Sequence, residues 1–143
     1  MIFDHGPLGY LAIAAHGHAD ALSVCIALDG KPLLVDPGTY LYHSGRAERD
    51  WFRGTPAHNT LNIEGESQSL ISGPFNWSDK AQCRLDEARE SAAWRIAASH
   101  DGYERRFGVR HQRTLAAHEG GLRIEDRLLG GQSRGGDRFP ISG

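Results

Sequence analysis

The sequence is poor in the features that mark several classes of protein. It has two cysteines and one methionine among 143 residues, and its 16 basic and 18 acidic side chains leave a net charge of −2. No apolar run approaches the roughly 18 residues that a membrane-spanning helix requires. Without a positive excess, the chain has no overall field that gathers nucleic acid or anionic membranes. We therefore expect a single domain with neither a nucleic-acid partner nor a membrane partner.

The two cysteines, Cys25 and Cys83, allow at most one disulfide bond. Cys25 lies in an apolar run, where a buried free thiol is as natural as a bonded one. The sequence therefore leaves the state of this pair open.

Glycine is abundant, with 18 residues, and this favours short elements joined by turns over a helical bundle. The clearest strand has apolar residues at every second position, which is the spacing of a strand with one buried face. Asp29-Gly30 then supplies a turn, and a second apolar run follows, so that residues 20–36 predict a β-hairpin. The alternating apolar residues are Leu22, Val24, Ile26 and Leu28.

Further short strands are predicted at residues 60–63, 94–98 and 122–125, with glycine-containing turns between them. This spacing is typical of an antiparallel β-sandwich rather than of alternating strands and helices. We therefore expect a mainly β fold in which residues 1–130 form one β-sheet domain. The glycine-rich residues 131–143 are predicted to be a tail or a truncated strand connection.

The segment from Tyr40 to Asn59 has no sustained periodicity, and we interpret it as a long ordered loop with one helical turn. Long loops inside compact domains usually serve a site or an interface. Three arginines in this segment have two interpretations. They form an ordinary solvated face, or they bind a sugar carboxylate, for which guanidinium groups are suitable donors. These arginines are Arg46, Arg49 and Arg53.

The densest cluster of candidate ligands is the run His16-Gly17-His18-Ala19-Asp20 before the first strand. Imidazole and carboxylate are common zinc ligands. Pairing of the hairpin strands brings its two ends together, and this places His18 near Asp36. No comparable geometric argument includes His58. The alternative is that these are incidental histidines and that Asp36 is an ordinary turn residue in Asp-Pro-Gly.

Two stretches of the sequence carry a family resemblance. They are GPLGYLAIAAHGHADALSVCIALDGKPLLVDPGTYLY and RDWFRGTPAHNTLNIEGESQS, which contain an HGHxD element, a DPGTY turn and an HNT element in that order. In these motifs the chain resembles the heparinase II/III-like polysaccharide lyases, which include alginate, heparin and heparan lyases. The later stretches HDGYERRFGVRHQRTL and LRIEDRLLG are also similar to the sheet region of that family.

The resemblance implies β-elimination on acidic, uronate-containing polysaccharides. It implies a parent protein with a helical toroid domain, which carries the catalytic base and acid, and a β-sheet domain to which this chain corresponds. It also implies a structural zinc ion on residues matching His18, Asp36 and His58, with His16 facing the substrate carboxylate. Periplasmic or secreted location is implied, with a cytoplasmic one left open. Because the sheet is expected to be incomplete, association through unpaired edges into a homo-oligomer is also possible.

Two other functions are compatible with the same residues. One is a non-catalytic carbohydrate-binding or structural β-sandwich in which zinc only joins loops. The other is a cupin-like metal oxygenase, since those proteins also place histidine and carboxylate ligands on a β scaffold. The DPGTY and HNT motifs argue against the oxygenase.

Overall fold

The computed structural model of the chain describes residues 1–9, 14–40, 46–130 and 141–142, and in these parts the fold is mainly β. No helix in these parts is long and apolar enough to cross a membrane. The strands are, in chain order, β1 (Ile2–Phe3), β2 (Val24–Leu28), β3 (Lys31–Leu34), β4 (Asn62–Ile63), β5 (Leu70–Gly73), β6 (Asn76–Asp79), β7 (Cys83–Arg89), β8 (Arg95–His100), β9 (Val109–His118), β10 (Gly121–Gly130) and β11 (Ile141–Ser142).

These strands form antiparallel sheets. The largest has the order β10-β9-β8-β7, and a second sheet has the order β1-β2-β3. Two small sheets pair β4 with β11 and β5 with β6. The predicted mainly β, antiparallel fold class is therefore confirmed, and the arrangement is sandwich-like, because one face of the four-stranded sheet is covered by other elements.

The predicted hairpin is confirmed as the pair β2–β3, in which Ile26 lies opposite Leu34. Asp29 and Gly30 form its turn with positive φ angles of 50° and 76°. The expected buried face is only partly present, because every residue of β3 is exposed and Leu28 is 61% exposed. In the described part of the chain, burial is confined to the beginning of the hairpin, and its tip extends away from the core.

The long segment after the hairpin is more helical than predicted. It contains helix α1 (Arg46–Arg53) and a 3-10 helix (Thr55–Ala57), whereas we expected one helical turn in a loop. The sequence RAERDWFR is rich in good helix formers, and Asp50 forms an (i, i+3) ion pair with Arg53 at 3.6 Å. Residues 41–45 of the predicted loop lie outside the described residues.

Sequence periodicity did not predict β5, β6 or β7. In β7 the strand register shifts between Leu85 and Glu87, so its apolar residues do not alternate regularly. At the other end of the chain, β11 pairs with β4, so residues of the predicted tail take part in a sheet. Both cysteines are free thiols, and burial raises the pKa of Cys83 to about 12.

The inner face of the four-stranded sheet carries polar as well as apolar buried residues. Val109, His111, Arg113 and Leu115 alternate along β9 and are all buried. The apolar part of this face packs against β4 and the short helix α2 (Glu104–Phe107) in a small cluster. Its buried members are Leu61, Ile63, Tyr103 and Val109.

The turn at Gly102 requires a residue without a side chain. A Cβ atom there would lie 2.3 Å from the carbonyl oxygen of Gln68, a backbone atom that cannot move independently. We expect Gly102→Ala to lower the free energy of unfolding by about 1–3 kcal/mol, measured by urea titration. Gly73→Ala is the matched control, since its Cβ would meet nothing closer than 3.5 Å. Equal stability of the two variants would contradict the close approach.

Candidate metal centre

His18, Asp36 and His58 converge at one end of the β2–β3 hairpin. One potential ligand atom from each residue lies within 4.8 Å of those from the other two. The closest pair is His58 Nδ1 and Asp36 Oδ2, at 2.5 Å, and the rings of His18 and His58 are 5.2 Å apart between centroids. The convergence of His18 and Asp36 is the geometry that strand pairing predicted.

The donor set suits a divalent metal ion. His58 Nδ1 and Asp36 Oδ2 face each other, so an ion bound by both would take the place of the proton between them. Burial, and secondarily the nearby His58, lower the pKa of His18, which favours the neutral imidazole that binds metals.

The Asp-Pro-Gly turn positions the carboxylate. Asp36 Oδ1 accepts a hydrogen bond of 2.8 Å from the backbone N–H of Gly38, whose φ of 65° suits glycine. The second oxygen, Oδ2, is thereby left to face His58. At the same turn, Thr39 Oγ1 lies 3.4 Å from His18 Nε2. The turn interpretation and the ligand interpretation of Asp36 are therefore compatible, because each uses a different oxygen.

The position of His58 is fixed by its neighbours in sequence. The side-chain amide of Asn59 donates to the carbonyl oxygen of Val35 at 2.7 Å, which joins the His58 segment to the end of the hairpin. The hydroxyl of Thr60 donates to the carbonyl oxygen of Ala21 at 2.8 Å, which joins the same segment to the beginning of the hairpin. These two hydrogen bonds bring His58 to the hairpin, a geometric constraint that the sequence pattern does not show.

The segment that carries His18 is held at Ala19 by three hydrogen bonds, two of which come from polar side chains that the sequence did not single out. The N–H of Ala19 donates to the carbonyl oxygen of Arg53 at 2.8 Å. Its own carbonyl oxygen accepts from the Thr55 hydroxyl at 2.6 Å and from the Gln68 amide at 2.7 Å. Isolated polar residues of this kind carry no periodic signal. The next residue, Asp20, is half-buried, and burial raises the pKa of its carboxyl group to about 6.

His16 lies beside the three converging residues and not among them. It is exposed, and its ring packs edge-on against Phe75 with 6.1 Å between centroids. Together with His18, Thr39, Arg49 and Arg53, it lines a small cleft. The cleft therefore combines an exposed imidazole with two guanidinium groups.

Two of the three predicted substrate-binding arginines pack against the β5–β6 hairpin. Arg53 is 1% exposed, donates to the carbonyl oxygen of Pro74 at 3.0 Å and lies over the Trp77 ring at 4.6 Å. Arg49 lies over the ring of Phe75 at 4.9 Å. Both retain buried N–H groups without a partner in the described residues. The side chain of Arg46 lies outside the described residues, and carboxylate binding by the three arginines stays a prediction.

A family profile described as heparinase II/III-like, C-terminal, matches residues 1–141. No curated protein and no solved structure matches the chain. Because the profile covers nearly the whole sequence, the chain belongs to the heparinase II/III-like family and corresponds to its C-terminal domain.

Proposed function

We propose that this chain is the metal-binding β-sheet domain of a lyase that cleaves uronate-containing polysaccharides by β-elimination. Membership of a polysaccharide lyase family supports the reaction class. The convergence of two imidazoles and one carboxylate beside an exposed histidine supports the proposed metal site and its place next to the substrate. In this proposal His18, Asp36 and His58 hold a zinc ion.

The ion has a structural role. Its three ligands come from the segment before β2, the turn after β3 and the segment after the 3-10 helix. A zinc ion held by these residues would supply a fixed positive charge and join the three segments. His18 is then anchored, and His16 keeps its position at the cleft because it lies only two residues before His18 in the chain.

His16 acts on the substrate carboxylate. Removal of the proton beside that carboxylate in β-elimination spreads negative charge onto its oxygens, so a nearby donor lowers the barrier. Exposed His16 can donate such a hydrogen bond, and the guanidinium groups of Arg49 and Arg53, which line the same cleft, add positive potential. An acidic polysaccharide is therefore the proposed partner.

The general base and acid are proposed to come from a helical domain of the parent protein. Tyr103 is unsuitable as a base because it is fully buried, and burial strongly raises its pKa. Its hydroxyl also lies 3.1 Å from the carbonyl oxygen of Leu61. Tyr40 is exposed but packs on Phe52, 4.8 Å away between ring centroids, and we assign it no role in proton transfer. The isolated chain is accordingly expected to be inactive.

A non-catalytic carbohydrate-binding or structural domain with a zinc ion is the second candidate. This candidate needs no base in the chain, which agrees with the buried state of Tyr103. The cupin-like oxygenase is not retained, since the chain belongs to a lyase family. Turnover by the parent protein separates the two remaining candidates.

The metal assignment predicts about one equivalent of zinc in the purified chain, measured by elemental analysis. His18→Ala and Asp36→Ala should lose the ion and unfold at lower temperature, because a ligand at 100 times its Kd stabilises a protein by about 2.7 kcal/mol. His118→Ala is the control, since His118 is exposed at the end of β9. Full zinc occupancy in both ligand variants would refute the assignment.

The lyase assignment predicts that the protein carrying this chain together with the helical domain releases unsaturated uronates, detected by ultraviolet absorbance. Loss of the His16 donor should lower kcat about 100- to 1000-fold in His16→Ala, as for removal of other donors to a developing oxyanion. Zinc content should stay unchanged, and His118→Ala should keep full activity. Absence of turnover by the zinc-loaded protein across a broad panel of acidic polysaccharides would favour the non-catalytic candidate.

A further inference from the structure

We propose that Arg113 is the positioning residue of the metal centre, because one guanidinium group joins the four-stranded sheet to both segments that carry the histidine ligands. This inference rests on the proposed metal centre. Arg113 lies in the middle of β9, is 7% exposed, and directs its hydrogen bonds to Leu22, Asn59 and Asp126 rather than to a proposed ligand. Its action on the site passes through backbone carbonyl groups.

The guanidinium group is almost fully used. Its Nη1 donates two hydrogen bonds, one of 2.8 Å to the carbonyl oxygen of Leu22 and one of 2.5 Å to that of Asn59. On its other edge, Nε and Nη2 each donate at 2.8 Å to the two carboxylate oxygens of Asp126 on β10. Four of the five N–H groups that arginine offers therefore have partners, and the bond to Asp126 is bidentate.

The two carbonyl groups that Arg113 binds stand next to the ligand segments. Leu22 ends the segment that begins at His18, and it has a positive φ of 64°, so it precedes the regular strand. Asn59 directly follows His58, and its amide holds Val35, the residue before Asp36. One nitrogen of Arg113 thus restrains the backbone near all three ligands. Neither carbonyl belongs to a strand, so the guanidinium supplies donors that a sheet would otherwise provide.

A chain of hydrogen bonds behind Asp126 fixes the orientation of the pair. The N–H of Gly102 donates to His100 Nδ1 at 3.1 Å, so His100 carries its proton on Nε2. His100 Nε2 donates to His111 Nδ1 at 3.1 Å, and His111 Nε2 donates to Asp126 at 2.6 Å. Because a backbone N–H can only donate, the first hydrogen bond of the series fixes which atom is the donor in each of the following bonds.

Of the groups in this series, Asp126 is charged and the two histidines are neutral. Burial acts to raise the pKa of Asp126, but hydrogen bonds from His111 and Arg113 outweigh it and lower the pKa to about 2. Burial lowers the pKa of both histidines, and for His111 the hydrogen bond with Asp126 opposes part of that effect. Near neutral pH the carboxylate is ionised and the imidazoles are neutral, so Arg113 has a fixed counterion.

Substitution by lysine separates positioning from simple stabilisation. Lysine keeps the positive charge but presents one ammonium group in place of a planar fork, so it cannot bind both oxygens of Asp126 and also reach both carbonyl groups. If Arg113 only contributes to folding, a folded variant retains an unchanged metal site. If Arg113 positions the ligands, the folded variant binds the metal with altered geometry and lower affinity.

The test compares the full chain with Arg113→Lys and Asp126→Asn. The dissociation constant for Zn²⁺ is measured by chelator competition, the visible spectrum is recorded with Co²⁺, and the folded fraction is followed by circular dichroism. Residues that orient metal ligands typically change affinity about 10- to 100-fold when replaced. We expect a loss of this size and shifted cobalt bands in both variants. Asp126→Asn keeps the shape of the side chain, so it remains informative if Arg113→Lys does not fold.

Matched controls lie on the opposite face of the same sheet. Arg95 donates to Glu87 at 2.9 Å, and Asp86 accepts from Gln112 at 2.8 Å and from Ser99 at 3.1 Å. Arg95→Lys and Asp86→Asn should leave both the zinc affinity and the cobalt spectrum unchanged.

Two outcomes would overturn the proposal in distinguishable ways. Suppose that the unsubstituted chain binds Zn²⁺ and that the folded variants Arg113→Lys and Asp126→Asn have the same Zn²⁺ affinity and the same cobalt spectrum as that chain. The positioning role is then wrong, and the metal centre stands. If the unsubstituted, folded chain binds neither ion, the metal centre itself is wrong and the positioning role falls with it.

Discussion

The contact between the Asp36 carboxylate and the His58 imidazole is the interaction on which the rest of the site depends. It closes a loop between residues 22 positions apart, and closure of such a loop costs conformational entropy. Neither cysteine offsets that cost by a disulfide bond, since both thiols are free. Closure rests instead on hydrogen bonds to backbone carbonyl groups, of which the bond from Asn59 to Val35 is the nearest. An ion held by the same two side chains would strengthen this closure.

Polar contacts, more than apolar packing, set the geometry around the site. The apolar clusters of the described chain are small, and the larger of the two has four buried members. Between these clusters lie buried polar side chains whose partners are mostly backbone oxygens; they include Arg53, Thr55, Gln68 and Arg113. Apolar contacts are non-directional, whereas hydrogen bonds fix distance and angle. A site that must bring three ligands to one point gains more from the second kind of contact.

The sequence predicted the parts of this site that depend on local pattern. Alternating apolar residues and an Asp-Gly turn predicted the hairpin, and the hairpin predicted that His18 and Asp36 lie together. The inclusion of His58 rested on family resemblance alone, because nothing local connects it to the hairpin. Gln68 and Arg113 could not have been found by periodicity, since their carbonyl partners lie 49 and 91 residues away. The segment before His58 is more helical than predicted for a different reason, since its good helix formers show no sustained apolar periodicity.

The three ligands are restrained unequally, and this indicates what an ion would add. The side chain of His58 is fully buried, and the residues after it are held by Thr60 and Arg113. Asp36 is 27% exposed in its side chain and follows a strand whose residues are all exposed. The fold therefore holds His58 in place, whereas Asp36 at the end of the hairpin is less restrained. A cation shared between them would restrain mainly the hairpin, which is the role of a structural ion rather than of a reacting one.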